Sequence, residues 1–272
     1  MAFRHFPYTF CAALFLSTLA SPADSVRADL VTPATISERL AAGVVSARER
    51  QVTIGKLFHE AGCESVEKAI DKHFANVICT LPGDTTSTIV IGAHSDFIDR
   101  GTGIVDDWSG TALLPSLYQS LKRYPHKHRY QFIAFSGEEN GLVGSSKFVK
   151  NLTKEQLSEI QAFVNLECLG LTPTKVWVHR SAPDLVQLLA QTASSLQLPL
   201  GAVNVEQVGD DDTHPFLDKK IAVISIHSVT QETFGILHSS RDNLSVIRKD
   251  DYYNSYRLIA FYLALLDMKL AS

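Results

Sequence analysis

The order of the predicted strands and helices is the feature of this sequence that most constrains its fold. Residues 87–93 (STIVIGA), 130–136 and 161–169 are largely apolar runs with the length and β-branched content of buried strands. Further strands are predicted at residues 66–74, 75–81, 175–178 and 221–226. Helical periodicity alternates with them at residues 37–61, 109–124, 141–150, 182–196 and 250–270. This alternation predicts an α/β protein, a three-layer α/β/α sandwich with a mixed, largely parallel central sheet.

Polar segments whose side chains can bind metal ions follow several of these strands. HSD (residues 94–96) follows the first run, GEE (137–139) follows the second, and Glu167 lies within the third. DDWSG (106–110) and HSSRD (238–242) lie in later loops. Because open α/β sheets bind ligands at the carboxyl ends of their strands, we expect these side chains to meet at one edge. Histidine and carboxylate groups are the ligands that zinc and similar divalent ions prefer.

The adjacent glutamates Glu138 and Glu139 strengthen this expectation. Two neighbouring carboxylates at the end of a buried strand repel each other and are costly to desolvate. A pair of cations makes them tolerable, because one glutamate can be a ligand while the other lies in the positive field of the metals. Both can reach the site only where the chain leaves the sheet, and Gly137 and Gly141 allow that change of direction.

The ordered series HSD, DDWSG, GEENGLVGS, VNLE and HSSRD resembles the zinc exopeptidases of the aminopeptidase Y and bacterial leucyl aminopeptidase type, metallopeptidase family 28. The resemblance covers roughly residues 76–270. It implies the phosphorylase/hydrolase-like zinc exopeptidase fold and a peptide substrate. It also implies two zinc ions bridged by Asp106, the remaining ligands being Glu139 and His238 for the first ion and His94 and Glu167 for the second.

The same resemblance assigns the catalytic chemistry. Glu138 is expected to be the general base that takes a proton from the metal-bound water and passes it to the leaving amine. Asp96 is expected to hydrogen-bond the other imidazole nitrogen of His94 and so fix its tautomer. The implied function is that of an exported di-zinc metallopeptidase that hydrolyses the amino-terminal peptide bond.

Two other functions are compatible with this fold. A glutaminyl cyclase shares a similar ligand series but works as a transferase with one zinc ion, and a non-catalytic relative keeps the fold without the chemistry. The HSD and DDWSG segments and the GLVGSSKF continuation favour the peptidases, and the complete ligand set with Glu138 disfavours a non-catalytic domain. A carboxypeptidase or dipeptide-specific enzyme stays open, as does the residue preference.

The sequence departs from the family pattern at two places. Glu167 stands where many relatives have aspartate, and residues 211–216 (DDTHPF) stand where many have Ser-Asp-His. His214 or Asp212 could therefore line the substrate cleft without being a ligand. We also expect the aromatic side chains of Trp108 and Phe234 to shape a substrate pocket. His227 follows a core strand, from which it could approach the site.

The first 28 residues predict a secretory signal. A basic start precedes an apolar stretch at residues 10–20, and small residues offer cleavage sites between residues 20 and 28. The expected catalytic domain is residues 29–272, in a secreted or periplasmic monomer with no further membrane contact. The net charge of −4 and the absence of a long basic stretch give no indication of nucleic-acid binding.

The cysteines fit an exported protein. Cys11 would leave with the signal, so that Cys63, Cys79 and Cys168 remain. Three cysteines allow at most one disulfide. Because Cys168 lies in an apolar strand, we expect the bond to join Cys63 and Cys79.

Overall fold

A single sheet of eight strands organises the described part of the chain. The computed structural model describes residues 26–43, 46–64, 66–70, 72–205 and 209–271. Within these residues the strands lie in the order β1-β2-β4-β3-β5-β8-β6-β7. They are β1 (Val66–Ala69), β2 (Ala75–Leu81), β3 (Thr88–His94), β4 (Arg129–Phe135), β5 (Ile160–Leu166), β6 (Lys175–Val176), β7 (Gly201–Ala202) and β8 (Val223–His227).

The centre of the sheet is parallel and its margins are mixed. β4, β3, β5 and β8 run in one direction. β1 and β2 are antiparallel at one margin, and β6 is antiparallel to β8 at the other. The predicted α/β fold with a mixed sheet is confirmed. Because the four central strands are parallel, their carboxyl ends meet at one edge, which is the edge where the polar segments emerge.

Helices cover both faces of the sheet. They are α1 (Pro33–Ala41), α2 (Ala47–Glu60), α3 (Ser109–Thr111), α4 (Leu114–Leu121), α5 (Val143–Lys150), α6 (Lys154–Glu159), α7 (Pro183–Ser195), α8 (His214–Leu217) and α9 (Lys249–Leu270). Side chains of α1, α2, α4, α7 and α9 share one core with Ile89 and Ile91 of β3. Val90, between them, belongs to the opposite core with residues of α5, α6 and α8. Alternate residues of the strand therefore pack into two apolar cores, one on each face of the sheet, as a three-layer sandwich requires.

Several predicted element boundaries are wrong for identifiable reasons. Residues 37–61 form two helices, because Ser46 and Glu49 make a reciprocal capping box that starts α2. The helix predicted at residues 109–124 divides into α3 and α4, and Pro115 lies in the first turn of α4. The strand predicted at residues 66–74 ends at Ala69. The short elements α6, β7 and α8 were not predicted, because so few residues establish no period.

The Cys63–Cys79 disulfide is confirmed, and Cys168 is a buried free thiol. The bond joins the segment after α2 to the middle of β2, so it ties the amino-terminal helices to the sheet.

The predicted signal at residues 1–28 stays a prediction, because residues 1–25 lie outside the described residues. Among the helices that the structure describes, none combines the length and the apolar character needed to cross a membrane.

Removing the disulfide should lower thermal stability without changing the fold. The two cysteines are 16 residues apart, and closing a loop of that size stabilises a protein by about 3 kcal/mol. We expect the double variant Cys63→Ser/Cys79→Ser to melt about 6–12 °C below the parent in calorimetry. Reductant should lower the parent's melting temperature toward that of the variant and leave the variant unchanged. Equal melting of the two proteins would contradict this stabilising role.

Candidate metal centre and active site

The five predicted metal ligands come from five places along the chain and meet at the carboxyl edge of the sheet. His94 is the last residue of β3, and Glu167 directly follows β5. Asp106 lies in the turn before α3, Glu139 follows β4, and His238 lies in the loop after β8. By their pair distances the ligand atoms form two groups that share Asp106, and Asp107 also lies close to His94 and Glu167.

The first group consists of Asp106, Glu139 and His238. Nε2 of His238 lies 3.0 Å from Oδ2 of Asp106 and 3.1 Å from Oε1 of Glu139. A single ring N–H can point directly at only one of the two oxygens, so at best they share a weaker, bifurcated bond. Moreover, Oε1 of Glu139 is buried and has no hydrogen-bond partner among the described residues. The three ligand atoms lie within 4.8 Å of one another, and one of them is an oxygen without a hydrogen-bond partner in the described part of the chain. This is the arrangement expected around a cation.

The second group consists of Asp106, His94 and Glu167. Nε2 of His94 lies 3.1 Å from Oδ1 of Asp106 and 3.2 Å from Oε1 of Glu167. Nδ1 of the same ring is 3.2 Å from the carbonyl oxygen of Asp96. A carbonyl can only accept, so Nδ1 carries a proton, and Nε2 is the ring nitrogen that would bind a cation held with the two carboxylates. Asp106 thus presents one oxygen to each group. Although Glu167 is one methylene longer than aspartate, its carboxylate reaches His94.

The donor set fits zinc. Each group offers one imidazole and two carboxylates, and such mixed nitrogen and oxygen sets bind zinc with a position left open. His94 is buried, whereas the side chain of His238 is 47% exposed. The first group therefore lies nearer to solvent than the second.

Asp96 does not act on His94 in the way that the sequence predicts. Its carboxylate Oδ1 is 3.7 Å from Nδ1 of His94, beyond hydrogen-bond distance, and its backbone carbonyl makes the bond instead. The carboxylate accepts the backbone N–H groups of Gly137, Glu138 and Glu139, at 2.8, 3.1 and 3.2 Å. Gly137 has a φ of 80°, a conformation that glycine adopts without strain. Asp96 therefore holds the turn that presents the two glutamates.

Two further aspartates hold the backbone around the ligands, and the sequence analysis missed both. The Asp107 carboxylate accepts N–H groups of His94, Gly110 and Cys168, so it joins the ends of β3 and β5 to α3. The Asp242 carboxylate accepts the N–H groups of Val105 and Asp106. Both aspartates lie in the quoted segments DDWSG and HSSRD. Acidic residues next to ligands in buried segments were the available signal.

Arg50 supplies a buried positive charge beside these aspartates. Its side chain is fully buried on α2 and donates to the carbonyl oxygens of Gly43, Ser95, Thr102 and Gly103. Burial lowers the pKa of Arg50 to about 10, so the group stays charged at neutral pH. The cation therefore fastens the loop after β3 and offsets part of the negative charge of the site.

A cavity of about 470 Å³ opens next to the first ligand group. Its lining includes Glu138, Glu139 and His238 on the ligand side, and Trp177, His227 and Phe234 elsewhere. The predicted pocket residue Phe234 is thus in the cavity wall. His227 is there as well, at the end of β8, and Trp177 had no predicted role.

The predictions that Trp108, His214 or Asp212 line the pocket are wrong. Trp108 is fully buried in the core with α1 and α2, where its Nε1 donates to the carbonyl of Arg39. His214 is about half exposed and pairs with Asp210, which lines the cavity, but His214 itself is not part of the lining. Asp212 is buried and also absent from the lining, and burial raises its pKa to about 8. The direction of each side chain depends on where α3 and α8 begin.

A model of a known family matches residues 76–263, and its description is peptidase family M28. The chain belongs to peptidase family M28. Aminopeptidase Y of Saccharomyces cerevisiae is 37% identical over 96 residues, which cover 35% of this M28 chain and only 18% of that protein.

Two solved structures extend the comparison of this M28 chain. A zinc aminopeptidase from Bacillus subtilis has a TM-score of 0.63 at 22% identity, over 70% of this chain and 49% of its own. A glutaminyl cyclase from an Acidobacteriales bacterium has a TM-score of 0.76 at 18% identity, over 93% of this chain and 100% of its own. At these identities the likeness establishes the shared fold alone.

The carboxyl groups of the M28 site are strongly perturbed. Burial raises the pKa of Glu138 to about 10; His94 lowers it in part, and Glu167 and Asp212 raise it further. Burial, together with Asp106, raises the pKa of Glu139 to about 7. Asp106 has a lowered pKa despite its burial, because His238 and His94 hydrogen-bond to it. Without a cation, the site therefore retains protons that metal binding must release.

Replacing Asp96 should weaken metal binding although Asp96 is not a ligand. An Asp96→Asn side chain turns an NH₂ group toward backbone N–H donors, which should loosen the turn that carries Glu139. We expect zinc affinity to fall about 10–100-fold, measured by competition with a chromogenic chelator. Asp99→Asn, an exposed change on the same loop, is the matched control and should bind zinc like the parent. An unchanged affinity in Asp96→Asn would contradict the positioning role.

The metal-free protein should lose stability as the pH rises from 5 to 9. Glu139 and Glu138 have folded-state pKa values of about 7 and about 10, above their ordinary value of 4.5. A raised carboxyl pKa contributes stability that is complete below the unfolded-state value and is lost as pH rises through the folded-state value. We expect the melting temperature in chelator to fall over this range, and zinc to suppress the fall.

Glu139→Gln provides the control for this pH dependence. Its neutral amide should flatten the metal-free profile around pH 7 and weaken zinc binding. A metal-free melting temperature that rises between pH 5 and pH 8 would contradict the assignment of the raised pKa values.

Proposed function

We propose that this M28 chain is a di-zinc aminopeptidase, which hydrolyses the amino-terminal peptide bond of peptides. The observation that carries the proposal is the pair of ligand groups sharing Asp106, with one histidine on each side. The family membership and the aminopeptidase names of its relatives support it. Because the chain spans less than a fifth of aminopeptidase Y, the activity is inferred from the site of this chain.

The proposed ligands are those that the two groups contain. Asp106 would bridge the ions, with Glu139 and His238 completing the first site and His94 and Glu167 the second. When bound, zinc polarises a carbonyl group and lowers the pKa of water, which makes hydrolysis possible near neutral pH. The framework of Asp96, Asp107 and Asp242 would keep the ligands in place as the ions bind and leave.

Glu138 is the proposed general base. It lines the cavity, its carboxylate Oε2 lies 3.9 Å from Nε2 of His94, and its side chain is 13% exposed. Because bound cations would release the proton that the metal-free site retains, the Glu138 carboxylate could then accept a proton from the attacking water and return it to the leaving amine. The backbone N–H of Glu138 donates to the Asp96 carboxylate, and this hydrogen bond restrains the turn that carries the proposed base.

Glutaminyl cyclase remains the second candidate. Its support is the extent of the structural likeness, since the Acidobacteriales enzyme is matched over its whole chain. A single zinc ion would, however, leave one of the two ligand groups without a role. A non-catalytic binding protein is disfavoured, because Glu138 and both groups are present.

We further propose that the protein is exported and acts as a monomer on peptides, without nucleic-acid or membrane partners. The basic and apolar pattern of residues 1–28 supports export. The Cys63–Cys79 disulfide is compatible with an oxidising compartment.

The variant Glu138→Ala should separate catalysis from metal binding. We expect it to hydrolyse leucine p-nitroanilide with a kcat at least about 10²–10⁴-fold below the parent, because the proton acceptor is lost. Its zinc content by elemental analysis should stay near two per chain. Glu139→Ala and Asp106→Ala should instead lose zinc.

Three results would change the assignment. Substantial turnover in Glu138→Ala would remove Glu138 as the base. Full zinc content in both ligand variants would refute the ligand set. One zinc ion, no peptide hydrolysis and cyclisation of amino-terminal glutamine would favour the cyclase.

A further inference from the structure

Two ring N–H groups in the cavity wall are buried without a hydrogen-bond partner among the described residues. They are Nε1 of Trp177 and Nε2 of His227. Their residues are only 3% and 2% exposed. Two other buried ring N–H groups are paired: Nε1 of Trp108 donates to the Arg39 carbonyl, and His128 contacts Asp267 at 2.8 Å. Unpaired donors are costly when buried, so these two indicate an acceptor that the described residues do not supply.

Strand register brings the two donors to the same face of the sheet. β6 is antiparallel to β8 with Lys175 opposite His227, and the Trp177 N–H donates to the Ser225 carbonyl. Ser225 and His227 are two residues apart on β8 and so point to one face, which Trp177 shares as the partner of Ser225. Because adjacent strands are about 4.8 Å apart, the backbones that carry His227 and Trp177 lie roughly one and two strand spacings from that of β5, which Glu167 follows.

The hydrogen bonding of His227 identifies its free nitrogen as a donor. Its Nδ1 accepts the backbone N–H of Val229 at 3.1 Å, so the proton of the neutral ring is on Nε2. Burial lowers the pKa of His227 to about 4, which keeps the ring neutral. A backbone hydrogen-bond contact with Val203 acts against the lowering of the His227 pKa, but no described residue meets Nε2 with good hydrogen-bond geometry.

The indole ring of Trp177 packs against the side chain of Arg180. The guanidinium carbon of Arg180 lies 4.3 Å from the centre of the indole ring, and Arg180 forms ion pairs with Asp210 and Asp211. The Asp211 carboxylate also accepts the hydroxyl of Ser225 at 2.7 Å. These polar groups satisfy one another, so Trp177 and His227 keep their donors free for the cavity.

The rest of the lining defines what kind of group fits against these donors. Leu142, Val205, Val229, Phe234 and Leu237 make much of the wall apolar. The wall also contains the carboxylates of Asp210 and Asp211, which disfavour an incoming anion. An apolar cavity with two neutral donors complements a long side chain that ends in an uncharged acceptor.

We propose that Trp177 and His227 make this cavity selective for an amino-terminal residue whose side chain ends in a neutral hydrogen-bond acceptor, with glutamine as the probe. The inference rests on the aminopeptidase function proposed above. With glutamine, the side-chain carbonyl accepts from the two ring N–H groups. With leucine, both donors stay buried and unpaired, which is the kind of loss by which a polar pocket rejects an apolar substrate.

The test compares glutamine and leucine p-nitroanilides on the zinc-loaded parent and on Trp177→Phe and His227→Phe. We expect the parent to favour glutamine by at least about tenfold in kcat/KM. Each variant should lose most of that preference because its kcat/KM for the glutamine substrate falls. The variant His227→Gln, which keeps an N–H donor, should retain part of the preference. Phe234→Leu is the matched control: it reshapes the same wall without removing a donor, so it should slow both substrates alike.

A binding measurement separates this inference from the proposed reaction. Trp108 and Trp177 are the two tryptophans of the chain, and Trp108 is buried away from the cavity. In zinc-loaded Glu138→Ala, glutamine amide should change the Trp177 fluorescence at lower concentrations than leucine amide, and Trp177→Phe should abolish the signal.

The outcomes are distinguishable. Hydrolysis of both substrates with equal or better use of leucine, unchanged in the variants, would overturn the selectivity and keep the aminopeptidase. No hydrolysis of either substrate, with selective binding of glutamine amide that Trp177→Phe and His227→Phe weaken, would keep the pocket and overturn the reaction. Mass spectrometry of the glutamine product, which detects loss of ammonia, would show whether cyclisation replaces hydrolysis.

Discussion

Mutual repulsion among desolvated carboxylates is the constraint on which the rest of this structure depends. Asp106, Glu138, Glu139 and Glu167 converge where the parallel strands end, and burial raises the pKa values of all three glutamates. Burying such a cluster costs free energy, which the hydrophobic core around it must offset. It becomes favourable when cations neutralise it, which is why the two ligand groups around Asp106 explain the site better than a network of hydrogen bonds.

The acidic residues of the site divide into two kinds according to their partners. Asp96, Asp107 and Asp242 are satisfied by backbone N–H groups, so their carboxyl oxygens organise three loops. The glutamates and Asp106 face histidine nitrogens and one another, so their oxygens remain available for ions. The buried guanidinium of Arg50 lies near the backbone-bound aspartates and offsets part of the negative charge of the site. This division allows one small region to hold many carboxylates.

The five predicted ligand residues meet in the structure, whereas several predicted pocket residues do not line the cavity, for a physical reason. Predicted ligands such as His94 and Glu167 follow apolar strands, and parallel strands bring their carboxyl ends together whatever lies between them along the chain. The wall formed by Trp177 and His227 depends instead on a short antiparallel pairing of β6 with β8. A strand of two paired residues is too short to show a hydrophobic period in the sequence. From the sequence, a tryptophan at that place is therefore expected to be an ordinary core residue. Trp108 was misplaced for the opposite reason, since its neighbours in DDWSG are at the site while its ring faces the core.

By itself, the sequence determined the α/β class, the edge of the sheet that carries the chemistry, and the residue types that can bind zinc, because strand periodicity and ligand chemistry are local properties. Only the tertiary structure decided which acids bind backbone and which face the histidines, since that depends on N–H groups from distant loops meeting one carboxylate. It also decided that Asp96 holds the Glu138–Glu139 turn rather than the imidazole of His94. Contacts between segments far apart in the chain, such as Asp242 with Asp106, carry no signature in either segment alone.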